Sequence, residues 1–164
     1  MSISIIYNKS VSKKNIYNNI LFVDEKFDIS AIKKHISASE FSFISDLLKI
    51  KDTKKKILKF DINSKKKIIL ISLKKNIKSS ELENLGATFY SLFKNEKENS
   101  YNLISDTISN HLNINLGNFL HGLKLKSYSF EKYKTKKSKK NILIVVNGKN
   151  LPSTKDQIKF KAIE

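Results

Sequence analysis

TISNHLNINLGNFLHGLKLKSYSFEKYK, residues 107 to 134, is the stretch around which the rest of the chain is read. Ile108, Leu112, Leu116, Phe119, Leu120 and Leu123 recur at spacings of three and four, which makes one apolar stripe on a helix. Ser105 and Asp106 stand just ahead as N-caps, because their oxygens can accept the free N–H groups of a first turn. Gly117 and Gly122 each cost a helix about 1 kcal/mol relative to alanine, so they are expected where another element approaches closely. Beyond Leu125 the period changes. Tyr128, Phe130 and Tyr133 alternate with Ser, Glu and Lys, and the run ends in the basic tract Lys134 to Lys140.

Working outward toward the N-terminus, Ser2 to Tyr7 is β-branched and aromatic and reads as a strand. Asn19 to Val23 is a nearly continuous apolar run, expected of a strand covered on both faces. Ile29, Ile32 and Ile36 suggest two short helical turns. Ser37 and Glu40 then form a capping box ahead of a helix with Phe41, Ile44, Leu47 and Leu48 on one face. Ile57 to Ile62 alternates as a strand with one exposed face, and a short polar connection leads into Lys67 to Leu73, a central-strand candidate. That connection is too short for a crossover, so the two strands are expected to be antiparallel. Ser80 and Glu83 predict a second capping box, followed by the stripe Leu82, Leu85, Phe89, Leu92 and Phe93. Tyr101 to Ile104 is a short strand before the opening stretch, and Asn141 to Asn147 is a strand after it. Pro152, with Ser153 and Asp156 as a cap, starts a last helix near Thr154. Strands alternating with helices predict an α/β fold: a single three-layer domain, with a mixed β-sheet flanked by helices.

The chain has 164 residues, enough for one domain with a real core, and its 40% hydrophobic content and single proline argue against disorder. No apolar run approaches twenty residues, so no membrane span is predicted, and no secretory signal is seen at the start. Cysteine is absent, which excludes disulfides and thiolate metal sites and fits a cytoplasmic setting. The formal net charge is +17, and all of the basic residues are Lys. Lys, Ile and Asn share A/T-rich codons, so genome composition can supply much of that charge. A surface built to grip phosphate is expected to include Arg, whose planar fork binds it bidentately.

Gly122-Leu123-x-Leu125-x-x-Tyr128-x-Phe130-x-x-Tyr133-Lys134 resembles the segment that closes the last helix of the N-terminal domain in leucyl (cytosol) aminopeptidases. That family reads G-x-x-L-x-x-Y-x-F-x-x-Y-K there, followed by Lys-rich sequence and a strand. The resemblance implies a macro-domain-like fold over residues 1–150 without catalytic residues. Residues 151–164 then begin the linker helix to a catalytic domain beyond this sequence. It further implies that the intact enzyme removes N-terminal residues from peptides with two divalent metals, zinc or manganese, as a homo-hexamer. The family's metal ligands and catalytic Arg lie in the following domain, so no catalytic, cofactor or metal residue is carried over. Ser72-Leu73-Lys74 departs from the Gly-Leu-Gly that many members carry at this point.

The residues themselves offer little chemistry. His35, His111 and His121 have no metal-ligand spacing, and His111 and His121 stand ten residues apart. Asp24-Glu25 reads as a solvated turn. The strand ends, where clefts of open α/β sheets lie, carry Asp24, Lys74 and Asn147-Gly148 without a glycine-rich phosphate loop. ADP-ribose binding, by analogy with macro domains, is the weakest reading. The alternative function is a DNA- or RNA-binding module using the tracts Lys51 to Lys56, Lys65 to Lys67 and Lys132 to Lys140. Its candidate contacts are Lys132, Lys134, Lys136, Lys137, Lys139 and Lys140, with Tyr128 and Tyr133 alongside for base stacking.

Overall fold

A computed structural model describes residues 3–8, 18–97, 99–108, 115–132 and 141–162, with the backbone alone for 129–132. Six strands form one sheet: β1 (Ile3–Asn8), β2 (Asn18–Asp24), β3 (Ile57–Asp61), β4 (Lys67–Leu73), β5 (Ser100–Ile104) and β6 (Ile142–Asn147). Their order is β1-β6-β5-β2-β4-β3; all neighbours are parallel except β3 and β4, which pair antiparallel as their short connection requires. The helices are α1 (Ala38–Leu48), α2 (Ser79–Phe93), α3 (Leu116–Lys132) and α4 (Thr154–Lys161), with a 3-10 turn at Ser30–His35 and another at Ser105–Thr107. The fold is therefore the expected mixed α/β domain.

Alternation along the strands sends side chains to two cores. Ile20, Phe22, Ile69, Ile71, Tyr101, Leu103, Ile144 and Val146 meet α2 and α3 on one face. Leu21, Val23, Leu58, Phe60, Ile68 and Leu70 meet Ile32 and Ile44 on the other. The first core is centred on aromatic edges: Phe22 lies T-shaped on Phe119 at 5.6 Å, and Phe89 on Tyr101 at 5.4 Å. Each such pair contributes about 0.5–1.5 kcal/mol beyond its area.

The α1 capping box forms as read: Ser37 Oγ accepts the Glu40 N–H, and the Glu40 carboxylate accepts the Ser37 N–H at 3.0 Å. Ser153 likewise caps α4 by accepting the Asp156 N–H. The second box does not form at Ser80 and Glu83. α2 starts earlier, and the Glu81 carboxylate accepts the backbone N–H of Lys78 at 2.8 Å. Glu83 instead turns to His121 on α3, Nδ1 to Oε2 at 3.2 Å.

Two expectations for the opening stretch are also corrected. Ser105 and Asp106 do not cap α3. Ser105 Oγ donates to the Asn147 carbonyl at 2.9 Å and Asp106 accepts the Lys149 N–H at 2.9 Å, while Asn115 accepts the Gly117 N–H at the true start. The helix also continues through the expected change of period to Lys132. Ser127, buried four residues after Leu123, carries the stripe on, and Tyr128 is turned outward. Leu112 lies outside the described residues. The glycine expectation holds at Gly122, which packs against the Glu83 carbonyl, and is matched by Gly86 against the Phe119 carbonyl. The expected open face of β3 is covered in part: Ile57 is buried in the α2 core, while Lys59 is half-buried and Asp61 exposed.

Candidate functional site

In open α/β sheets the carboxyl ends of the strands are the first place to look for a ligand. Here the groups at those ends are engaged by their own turns. Asp24 Oδ1 accepts the N–H groups of Lys26 and Asp28, at 3.1 and 2.9 Å, around Phe27, whose φ of 56° completes the turn. Lys74 pairs with Glu81 at 2.6 Å and closes the β4–α2 connection without a Gly-Leu-Gly turn. Gly148, at φ 124°, donates its N–H to the Asn8 carbonyl and lies against Ser105 and Asp106. No larger residue fits there, since left-handed backbone and a neighbouring hydroxyl both exclude a β-carbon.

A polar seam crosses the sheet that the sequence reading missed. Asn102 on β5 donates to Asn19 on β2 at 3.4 Å and accepts from Asn147 on β6. Asn18 ties the strand starts together, donating to the Ser100 carbonyl and accepting the Lys67 N–H. Asn147 is 1% exposed, and among the described residues its Oδ1 has no hydrogen-bond partner. The local signal was an Asn interrupting each apolar strand; its meaning depends on a strand order that local patterns do not supply.

His35 closes the 3-10 turn of residues 30–35, with a buried Nε2 that has no hydrogen-bond partner among the described residues. Burial and then Lys34 hold its pKa below the ordinary value, against the opposing pull of Asp106. Tyr7, on β1, is pushed up to about 12, first by burial and then by Asp156. These arrangements pack and orient. His121 faces Glu83 and stacks on Phe160 of α4 at 6.1 Å, as a bridge between three helices. His111 lies outside the described residues.

Several of the described lysines are engaged by other groups. Lys59 and Lys67 converge on Glu96, at 3.1 and 2.5 Å; Lys66 pairs with Glu40; Lys51 donates to the Lys59 carbonyl at 2.6 Å and lies 4.6 Å from the Phe60 ring centre. Lys67 and then Lys59 hold the Glu96 carboxyl below its usual range against its partial burial. Lys134, Lys136, Lys137, Lys139 and Lys140, with Tyr133, lie outside the described residues, and of Lys132 only the backbone at the end of α3 is described.

A groove of about 760 Å³ runs along the antiparallel edge of the sheet, between β3 and α2. Ile57, Leu85 and Leu92 line it with Lys55, Lys56 and Lys59. Among the described residues no three His, Cys, Asp or Glu side chains converge as a metal site, and no helix is long and apolar enough to cross a membrane.

No protein-family model matches this chain, and no curated protein matches it in sequence. Among solved structures it is similar to a mutant of tomato leucine aminopeptidase, with a TM-score of 0.59 and 13% identity. The match covers 99% of this chain and 35% of that one, so the described fold corresponds to about a third of the tomato enzyme. At that identity the likeness is one of fold.

Proposed function

We propose that this chain is the non-catalytic N-terminal domain of a metal-dependent leucyl aminopeptidase, acting in assembly and in access to the active site. The observation that carries the reading is the fold likeness to a leucine aminopeptidase over 99% of the chain. The Gly122-to-Lys134 string agrees with it, and so do strand ends occupied by their own turns. In this reading, release of N-terminal amino acids, two zinc or manganese ions and a hexameric, cytoplasmic assembly belong to the intact protein. This domain supplies packing surfaces.

The test is to read the coding sequence beyond the codon for Glu164. The reading expects an in-frame continuation encoding the Asp, Glu and Lys metal ligands of the family. A chain that stops at Glu164, with no catalytic chain copurifying from its source, overturns it.

A further inference from the structure

Going beyond that reading, we propose that the groove between β3 and α2 docks an extended peptide segment of a partner protein that alternates apolar and acidic residues. The segment adds to the six-stranded sheet at its antiparallel edge.

The backbone makes the case first. Ser72 donates its N–H to the Lys56 carbonyl and Ile62 donates to the Lys66 carbonyl, which fixes the even-numbered residues of β3 as those bonded to β4. The N–H and C=O groups of Ile57, Lys59 and Asp61 therefore point outward, and among the described residues no strand pairs with them. Lys51 Nζ holds the Lys59 carbonyl and acts as a latch that an incoming strand displaces. Charged groups over an edge strand are a common guard against uncontrolled pairing.

The side chains select the occupant. Leu92, 55% exposed, gives the groove an apolar floor together with Ile57 and Leu85. Its carboxylates are already answered: Glu96 by Lys59 and Lys67, Glu81 by Lys74, and Asp52 by the N–H of Lys54. Among the described residues no carboxylate pairs with Lys55, and the Lys51 ammonium rests on a carbonyl, so the surplus charge is positive. A strand with period-2 side chains can set apolar residues on Leu92 and acidic ones against Lys51, Lys55 and Lys56. A second copy of this chain brings the same +17 charge and the same cationic groove. A single-stranded nucleic acid needs exposed ring faces to stack on, and Phe93, the aromatic residue of the groove, is buried.

The experiment is fluorescence anisotropy with the full 164-residue chain and a labelled octapeptide alternating Val and Glu, at physiological salt. Saturable binding is expected. It should weaken at least about tenfold in Leu92→Glu and in the Lys55→Glu/Lys56→Glu double variant, and vanish when two Val are replaced by Pro, which cannot pair along an edge. The substituted positions are exposed, and circular dichroism checks that each variant is folded. Three results overturn the proposal: no saturable binding, equal binding of the Pro peptide, or displacement of the peptide by oligo(dT) with tighter oligo(dT) affinity. A dimer seen by sedimentation that Leu92→Glu dissociates, with peptide affinity unchanged, assigns the groove to self-association and overturns it as well.

Discussion

Gly122 of α3 lies so close to the backbone carbonyl of Glu83 on α2 that no β-carbon fits between the two helices. Gly86 and Phe119 form the reciprocal contact, so the helices cross backbone to backbone over the centre of the aromatic core. In an ordinary helix interior, Gly→Ala stabilises by about 1 kcal/mol. Here Gly122→Ala or Gly86→Ala should destabilise the domain by about 1–3 kcal/mol, because α2 and α3 must move apart. Urea unfolding measures it. An unchanged or raised midpoint contradicts the crossing.

Glu96 gathers Lys67 and Lys59 and ties the start of β4 and the middle of β3 to the segment after α2. Its carboxyl is held below the usual value of 4.5 by Lys67 and then Lys59, so its folded pKa lies under its unfolded one. A depressed carboxylate pKa contributes stability that is present above the unfolded value and lost as pH falls through the folded one. Glu40 acts in the same direction: its burial is outweighed by Lys66 and the Ser37 cap. Unfolding midpoints should therefore fall as pH drops below the ordinary carboxylate range, and Glu96→Gln should flatten part of that fall. Parallel pH profiles for the two proteins refute the assignment.

The Lys51 ammonium seated on the Lys59 carbonyl occupies an outward group of the edge strand. Lys51→Ala should lower stability by about 0.5–1.5 kcal/mol. It should also speed aggregation, followed by light scattering, since an unguarded edge pairs with other edges. Slower aggregation in the variant counts against a guarding role.

Ser37→Ala should cost about 1 kcal/mol, the usual value of a lost N-cap. Ser80→Ala should stay within about 0.5 kcal/mol, because Ser80 is exposed inside the first turn of α2 and caps nothing. Thermal melts of the two variants separate these positions, and an equal loss in both restores the cap first read at Ser80.

The contrast between those serines shows where local pattern suffices. Ser37 with Glu40 and Ser153 with Asp156 were legible because all partners lie within one helical turn. β2 and β4 were legible because strands covered on both faces have little choice but continuous apolar sequence. Ser80 with Glu83 matched the same local template, yet Glu83 is drawn to His121, thirty-eight residues away, and Glu81 takes the capping position instead. The exit of α3 misled for a related reason. Its buried face is continued by the small Ser127, while Tyr128, the residue that caught attention, is 53% exposed. The asparagine seam and the edge groove depend on which strands neighbour one another, and the order β1-β6-β5-β2-β4-β3 cannot be read from spacing. The Lys132 to Lys140 tract lies almost wholly outside the described residues.

The central claim is that this chain packs and positions while peptide-bond cleavage belongs to residues elsewhere in an intact enzyme. Its most direct test is hydrolysis of leucyl-p-nitroanilide by the purified 164-residue chain with added Mn²⁺ or Zn²⁺. The account predicts no release of p-nitroaniline above the metal-only control. Metal-dependent turnover that follows the chain through purification contradicts it.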